Sequence, residues 1–562
     1  MNHTAEFDTF MDDFFVHLFS RRPVDATFAG LAEYNSRLPA LDAGSLTETI
    51  AEIEALLRRL DAIDPGPLDR FQRIDYDLAR GFLKTQLWER RSGHFFGYNP
   101  TTYTGEAAFA LVSLFVSDFR PIGERAIDLT ARLEAIPAFL ASARENLAVA
   151  PPAWTERAIG ECTGALNFLR NGIPILREDE GLAVDDAPVA AAIDAFERFQ
   201  EFLRTELLTR PGGAVSVGEA AFRNIMRWSH QSEADPGAFA DHAEEVIREC
   251  DRQLAEGARE LGFSSVDAAL ASLQDTHPAE DEYLSTYRSL WEASREMAVS
   301  HDLLTWRDAP VRYQPLPRWW LDVQPHLYFL FYRCPPRWNQ PAVYPYHVIP
   351  VDPDLPAEER LARLKANNTF VIKTNHVLHH GGLGHHMQNW NAVRARSRIA
   401  QVAATDGPAR LLMLCAGTLV EGWACYATEL GAGAGFLTPI EAYAEIASRR
   451  RMAARAVVDV RLHFGQFSLE EAEAFYRDRA GMGAAAARAE AVKNSLFPGG
   501  AIMYLYGIEA IERLRTACGD RSDREFHDEL LSYGSIPVDR IAREMTATST
   551  VTTHPERKAG TP

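Results

Sequence analysis

The chain of 562 residues is poor in cysteine and has no long apolar run. Its six cysteines include no pair separated by two residues, so neither a thiolate zinc site nor a disulfide framework is predicted. No run of about 18 apolar residues occurs, which argues against a membrane-spanning helix. The first 20 residues also lack the basic start and apolar core of a signal peptide. These absences predict a cytoplasmic protein with reduced thiols.

Positive charge is in deficit as well. Lys and Arg number 58 against 78 Asp and Glu, which gives a formal net charge of −20. Nucleic acids and anionic membrane surfaces are bound through basic faces, so neither is an expected partner. The chain also lacks a Gly-x-Ser-x-Gly elbow and a glycine-rich loop between a strand and a helix. Serine-hydrolase and dinucleotide-binding functions are therefore not indicated.

Apolar residues recur at helical spacing along most of the chain and predict long amphipathic helices packed on one another. The clearest such segments are 7–18, 46–60, 126–147, 189–208 and 238–261. One region differs, because eleven of the 31 prolines lie between Pro310 and Pro356, where helices cannot continue. Within it, 326–333 and 342–351 have the composition of strands. The sequence therefore predicts a mainly α fold with a small β-sheet near residues 326–351.

The most distinctive feature is a histidine cluster. Five of the 17 histidines lie within eleven residues, at His376, His379, His380, His385 and His386. Neutral imidazole is the commonest metal ligand in proteins, and His376 and His380 have the spacing of two zinc ligands on a regular helix. The glycines between Gly381 and Gly384 permit a turn instead. Such a turn would bring His379 together with His385 or His386, and the sequence leaves both pairings open.

A carboxylate follows about 35 residues after the cluster. Glu421 lies among Leu419, Val420 and Trp423 in a helical apolar pattern, where an unpaired carboxylate is costly. Two histidines and a glutamate from a following helix form the ligand set of a glutamate-liganded zinc peptidase. A salt bridge between Glu421 and a nearby arginine is the alternative explanation.

Two segments resemble motifs of the bacterial domain-of-unknown-function 885 family. Residues 379–388 resemble its His-Glu-x-x-Pro-Gly-His-His-x-Gln motif, and residues 421–426 resemble its Glu-Gly-Trp-Ala-x-Tyr motif. The family in turn resembles helical zinc metallopeptidases of the gluzincin type. This resemblance implies a single helical unit over 1–562 with a central groove and a zinc ion on its floor. An alternative division has a helical wall in 1–300 and the site in 301–550, and 551–562 is expected to be a tail.

The resemblance also implies roles for individual residues. His379, His385 or His386, and Glu421 would hold the metal, and Tyr504 and His527 would stabilise a tetrahedral intermediate. The sequence departs from the family at His380, Leu383 and Gly500, where the family has Glu, Pro and Gln. In a zinc hydrolase that Glu accepts a proton from water. His380 is then a substitute base, an additional ligand in a rearranged site, or the mark of lost catalysis.

The predicted function is a zinc-dependent hydrolase of peptide-like amide bonds with an atypical site. The alternative is a catalytically degenerate relative that binds a peptide or small molecule in the groove. Two further patterns are ambiguous. The run Arg449–Arg451 could meet a substrate carboxylate or form a solvated charged surface, and Asp459 and His463 could support the site or form a surface pair. The sequence determines neither the substrate nor the oligomeric state.

Overall fold

Helices account for most of the computed structural model, which describes residues 3–327, 331–408 and 411–549. The mainly α fold is confirmed. Between residues 3 and 300 the α-helices are α1 (His3–Arg21), α2 (Pro23–Ala29), α3 (Ala43–Asp61), α4 (Arg70–Arg91), α5 (Gly93–Phe96), α6 (Thr101–Val116), α7 (Ile122–Asn146), α8 (Pro152–Asn167), α9 (Ile173–Glu180), α10 (Asp186–Thr205), α11 (Glu219–Trp228), α12 (Pro236–Glu260), α13 (Val266–Ser272) and α14 (Tyr283–Ser300). The five segments with the clearest apolar periodicity all fall on long helices of this part, with ends that differ by a few residues from those predicted.

The remaining α-helices follow the proline-rich region. They are α15 (Ala357–Ala366), α16 (Thr369–Val371), α17 (His385–Ala392), α18 (Gly417–Gly433), α19 (Pro439–His463), α20 (Leu469–Ala480), α21 (Ala484–Leu496), α22 (Met503–Ala517), α23 (Asp523–Ser532) and α24 (Val538–Ser549). Two π-helices span Phe168–Gly172 and Ile372–Gly381. Short 3₁₀ turns lie at Ala32–Tyr34, Leu207–Thr209, Leu273–Asp275, Arg318–Trp320 and Leu414–Ala416.

The small sheet has two parallel strands, β1 (Val311–Pro315) and β2 (Tyr344–Val348), with Tyr313 opposite Tyr346. The second predicted strand therefore exists, but its partner lies upstream of the predicted first strand. Of the segment 326–333, residues 328–330 lie outside the described residues, and the others form turns, bends and irregular backbone. The ring of Phe331 stacks on Tyr346, and the Phe331 carbonyl accepts a 2.9 Å hydrogen bond from the His347 amide of β2, so this residue contacts the sheet through both its side chain and its backbone.

Two contacts fix the relative positions of the helices that carry the site residues. Helices α18 and α22 approach backbone to backbone, because a Cβ on Gly422 would lie 2.6 Å from the carbonyl carbon of Gly507. Helix α19 begins with a capping box in which Glu441 accepts a hydrogen bond from the Thr438 amide. The same carboxylate accepts a 2.8 Å bond from Lys373 Nζ in the second π-helix. Glu441 thus ties the start of α19 to the segment that carries the histidines.

The largest apolar core contains residues from both ends of the described chain, from Phe7 to Met545. A second core packs α6, α7, α8 and α10 together. The division into 1–300 and 301–550 stays a prediction, and the proposed tail 551–562 lies outside the described residues. In the ranges that are described, none of the helices combines the length and apolar character that crossing a bilayer requires.

Candidate metal centre

The first part of the histidine cluster lies on a π-helix, Ile372–Gly381. Its hydrogen bonds join residues five apart and widen each turn relative to an α-helix. His376 packs in an aromatic cluster, where its Nδ1 lies 2.7 Å from the Tyr346 hydroxyl, and it is not among the histidines whose ring nitrogens converge. Burial lowers the pKa of His376 to about 3. The structure therefore does not form the His376–His380 pair.

The second part of the cluster follows a sharp glycine turn, Gly381–Gly384. A Cβ on Gly384 would lie 2.1 Å from the His379 carbonyl oxygen and 2.7 Å from that of Leu378. The Gly384 amide donates a 2.8 Å hydrogen bond to the Leu378 carbonyl, and the Trp423 indole donates to the Leu383 carbonyl at 2.9 Å. Only glycine permits this close approach of backbone to backbone. The turn folds the chain back on the π-helix, and α17 begins directly at His385.

Four side chains converge at this turn. Glu421 Oε2 lies 3.6 Å from His379 Nε2 and 3.8 Å from His385 Nε2. One ring nitrogen from each of His379, His380 and His385 lies within 4.8 Å of the others. The donors of a tetrahedral zinc site with bonds of about 2.0–2.1 Å are about 3.4 Å apart. Small side-chain rotations would therefore bring this set to zinc-binding distance.

The protonation states also suit a cation. His380 Nδ1 donates a 2.7 Å hydrogen bond to the Asn375 carbonyl, which leaves the lone pair on Nε2. Burial and the neighbouring imidazoles hold the pKa of His380 well below its usual value, and burial lowers that of His385 to about 4. Both rings are consequently neutral at physiological pH, as metal ligands must be.

Glu421 supplies the negative charge of the group. Burial opposes its ionisation, but the contacts with His379 and His385 and the charge of Lys493 hold its pKa below the ordinary value. Its Oε2 is buried and has no hydrogen-bond partner among the described residues. An unpartnered buried carboxylate oxygen is costly unless a cation faces it. The donor set therefore fits a metal ion.

His386 and His527 lie elsewhere. Both ring nitrogens of His386 are engaged, Nε2 with the Ala309 carbonyl at 2.7 Å and Nδ1 with the Tyr332 hydroxyl at 2.8 Å. His527 Nδ1 donates to the Leu303 carbonyl, and its Nε2 lies 3.2 Å from the Tyr426 hydroxyl. Since these rings have no nitrogen left for a metal or a substrate, His385 and not His386 joins His379.

Three of the four converging side chains, His379, His380 and Glu421, line a cleft of about 470 Å³, which is lined also by helix α19 and by Tyr504. The side chains of His379, His385 and Glu421 are 15, 11 and 16% exposed, so the centre is reachable yet mostly dry. The Tyr504 ring packs against the Arg455 guanidinium at 4.6 Å. Burial raises the pKa of Tyr504 well above its usual value, which keeps its hydroxyl a hydrogen-bond donor.

Asp459 stabilises the loop that precedes α22, the helix that carries the cleft residue Tyr504. Its carboxylate accepts hydrogen bonds from the amides of Gly499, Ala501 and Ile502, at 3.1, 2.8 and 2.8 Å. These bonds hold the loop that leads into α22 and hence to Tyr504. His463 lies 3.7 Å from Asp459 and is fully buried, so the two do not form a surface pair. Gly500 lies in this loop and is not part of the cleft wall.

Sequence reasoning missed several cleft residues. Cys425 Sγ lies 3.9 Å from His379 Nδ1, one helical turn after Glu421. Glu445 also lines the cleft, and burial raises the pKa of its carboxyl group. The Asn375 carbonyl orients His380. The spacing of Cys425 after Glu421 could have indicated a shared face, whereas the roles of Glu445 and Asn375 depend on the tertiary fold and on the π-helix.

The geometry can be compared with known proteins. The profile of a family described as "Bacterial protein of unknown function (DUF885)" matches residues 23–545. A solved structure from Shewanella oneidensis, a "putative lipoprotein of unknown function", has a TM-score of 0.77 at 20% identity and covers 96% of this chain and 99% of its own. A "putative lipoprotein" from Colwellia psychrerythraea has a TM-score of 0.77 at 16% identity, covering 98% of this chain and 100% of its own. The likenesses to the two solved structures show the fold alone. No curated protein matches the chain.

Proposed function

The chain belongs to the DUF885 family of bacterial proteins, and we propose that it is a zinc-dependent hydrolase of peptide-like amide bonds. The supporting observation is the convergence of His379 and His385 on Glu421, at a point where His379 and Glu421 line a cleft. The resemblance to gluzincin-type metallopeptidases is part of the same proposal. Imidazole nitrogen and carboxylate oxygen together favour zinc over calcium or magnesium, which prefer oxygen ligands only.

His379, His385 and Glu421 would hold the ion. When bound, zinc supplies a Lewis acid that polarises a carbonyl group and makes water a nucleophile at neutral pH. Tyr504 carries the protonated hydroxyl on the cleft wall, where it can donate a hydrogen bond to an amide oxygen as that oxygen becomes negative. The Arg455 guanidinium, which pairs with Glu490 at 2.8 Å, packs on the Tyr504 ring and holds it at the cleft wall.

His380 takes the place of the family's glutamate as proton acceptor. The hydrogen bond from its Nδ1 to the Asn375 carbonyl fixes the tautomer, and the same bond remains once Nε2 accepts a proton. Burial and the neighbouring imidazoles disfavour the imidazolium form, so His380 is a weaker base than a carboxylate. General-base assistance is typically worth 10²–10⁴-fold, and we expect part of that range to be lost here.

A second candidate is a degenerate relative that binds a peptide or small molecule in the cleft. It is favoured by the nitrogen of His380, which lies within 4.8 Å of those of His379 and His385. If His380 also bound zinc, four protein donors would fill a tetrahedral site, as in structural zinc centres. The two candidates differ in whether a coordination position stays open.

The test uses the purified full chain. Zinc is measured by elemental analysis, and cleavage of a peptide library is measured with and without a chelator. We expect about one zinc per chain, loss of zinc in His379→Ala and Glu421→Ala, and chelator-sensitive cleavage. His242→Ala serves as a matched control, since this exposed histidine pairs with Glu509 outside the cleft. Bound zinc without cleavage supports a degenerate relative whose zinc site is filled by protein donors. Absence of zinc uptake rejects the hydrolase and favours a degenerate relative that binds a peptide or small molecule without metal.

The cellular compartment belongs to the proposal too. We propose a cytoplasmic location on the sequence grounds given above, although the two similar structures carry the word lipoprotein in their descriptions. Fractionation of the native host with an antibody to this chain tests it. Recovery with the membrane or envelope fraction would reject a cytoplasmic location.

A further inference from the structure

Three consecutive arginines in helix α19 have different surroundings. Arg449 pairs with Glu429 at 2.6 Å and with Glu512 at 3.0 Å, and Arg450 pairs with Asp251 at 2.9 Å. Arg451 has no carboxylate within 4.0 Å in the part of the chain that the structure describes, and it is exposed to solvent. The solvent that it meets is that of the cleft, because Arg451 is one of the residues lining it.

The cleft wall formed by α19 presents Ser448, Arg451, Met452 and Arg455, which recur at three- and four-residue spacing on one helix face. Arg455 is neutralised by Glu490 at 2.8 Å. Arg451 is therefore the wall's cation without an ion-pair partner among the described residues. The surrounding protein mass and the nearby Arg455 lower the pKa of Arg451, although Glu490 and Glu445 act in the opposite direction. An anion placed beside Arg451 would supply the ion-pair partner that Arg449, Arg450 and Arg455 already have.

Arg451 and Arg455 are one helical turn apart, which is about 6 Å along the axis. Arg455 packs on Tyr504, and both residues line the cleft with His379 and Glu421, so Arg451 lies about one helical turn from Arg455 along the same wall. An extended peptide advances about 3.3–3.6 Å per residue, and one or two residues span this distance. A planar guanidinium at such a point matches a carboxylate through two parallel hydrogen bonds.

We propose that Arg451 binds the free α-carboxylate of a short peptide or N-acyl amino acid whose amide bond lies over His379 and Glu421. This inference deepens the proposed function and rests on it. It makes Arg451 a specificity-determining residue that selects substrates cleaved close to a free C-terminus, and it explains why Arg451 differs from its paired neighbours.

The test measures binding by calorimetry, separately from activity. The probes are N-benzoylglycine and its C-terminal amide, which differ only in the carboxylate, and the protein is the full chain in zinc-loaded and chelator-treated forms. We expect wild type to bind the acid, and Arg451→Gln to bind it about 10- to 100-fold more weakly. Arg451→Lys keeps the charge without the fork and should fall between them. Arg450→Gln is the matched control and should bind as wild type does.

Several results would overturn the role of Arg451. These are equal binding of the acid and the amide by wild type, no detectable binding of the acid, or unchanged binding by Arg451→Gln. If removal of zinc abolishes binding of the acid and Arg451→Gln does not, the carboxylate binds the metal. Zinc content and peptide cleavage are measured on the same samples. A chain that binds the acid through Arg451 without cleaving peptides would reject the hydrolase proposal alone.

Discussion

The glycine turn makes a strong prediction about position 384. In Gly384→Ala the new Cβ would lie 2.1 Å from the His379 carbonyl oxygen, where a normal contact needs more than 3 Å. The obstacle is backbone, so it cannot rotate aside as a flexible side chain would. Relief requires a shift of about 1 Å between the end of the π-helix and the start of α17. That shift would separate His385 from His379.

The size of the effect follows from this geometry. Overpacking of a rigid interior typically costs about 1–3 kcal/mol, and this contact lies at the severe end. Loss of outer support for a metal ligand commonly weakens metal binding about 10- to 100-fold, and displacement of His385 itself should reach the upper value. We therefore expect Gly384→Ala to lower the free energy of unfolding by about 3 kcal/mol and to weaken zinc binding about 100-fold.

Chemical denaturation with the metal removed measures the first quantity, and competition with a chromogenic chelator measures the second. Gly160→Ala is the matched control, because nothing lies within 4 Å of a Cβ built at this helical position. That control should gain about 0.5–1 kcal/mol from helix propensity and keep its zinc affinity. If Gly384→Ala bound zinc as tightly as wild type, the turn would not position the histidines as described.

Three further predictions concern other parts of the molecule. His380→Glu restores a carboxylate base, and we expect kcat for peptide cleavage to rise about 10- to 100-fold; a fall would show that the imidazole is required. His386→Ala removes two buried hydrogen bonds and should cost about 3 kcal/mol in denaturation while the chain still takes up one zinc, so loss of zinc would make His386 a ligand after all. Burial raises the pKa of Asp75 to about 6, despite hydrogen bonds from Ser397 and two backbone amides. A raised carboxyl pKa stabilises the fold below that value, so between pH 7 and 5 the free energy of unfolding should rise by about 1 kcal/mol relative to Asp75→Asn, and a constant difference would show a normal pKa.

Helix positions could be predicted from the sequence because they depend on local periodicity. Segments such as 126–147 and 238–261 bury one apolar stripe each, and α7 and α12 occupy nearly the same ranges. The first strand of the sheet could not be located in this way. The apolar run from 326 to 333 has the composition of a strand, while β1 at Val311–Pro315 lies in a polar, proline-flanked segment. Composition indicates burial more reliably than it indicates pairing.

The candidate site was only partly predictable for a similar reason. His379 and Glu421 are predicted from the histidine cluster, from the apolar setting of the carboxylate and from motif resemblance. The choice between His385 and His386 depends on the direction in which the glycine turn leaves the π-helix. The surroundings of His376 are aromatic residues distant in sequence, such as Tyr346 and Tyr287, so its absence from the converging group is not predictable from the sequence either. The three adjacent arginines are equivalent in sequence, and only tertiary contacts show that Arg451 faces the cleft.

X-ray absorption at the zinc edge of the reconstituted full chain tests the metal centre most directly. We predict one zinc per chain, bound by nitrogen and oxygen donors at about 2.0–2.1 Å with the scattering pattern of two or three imidazoles. Glu421→Ala should lose an oxygen donor. A sulfur donor at about 2.3 Å, which would point to Cys425, or the absence of stoichiometric zinc, would contradict a centre built from His379, His385 and Glu421.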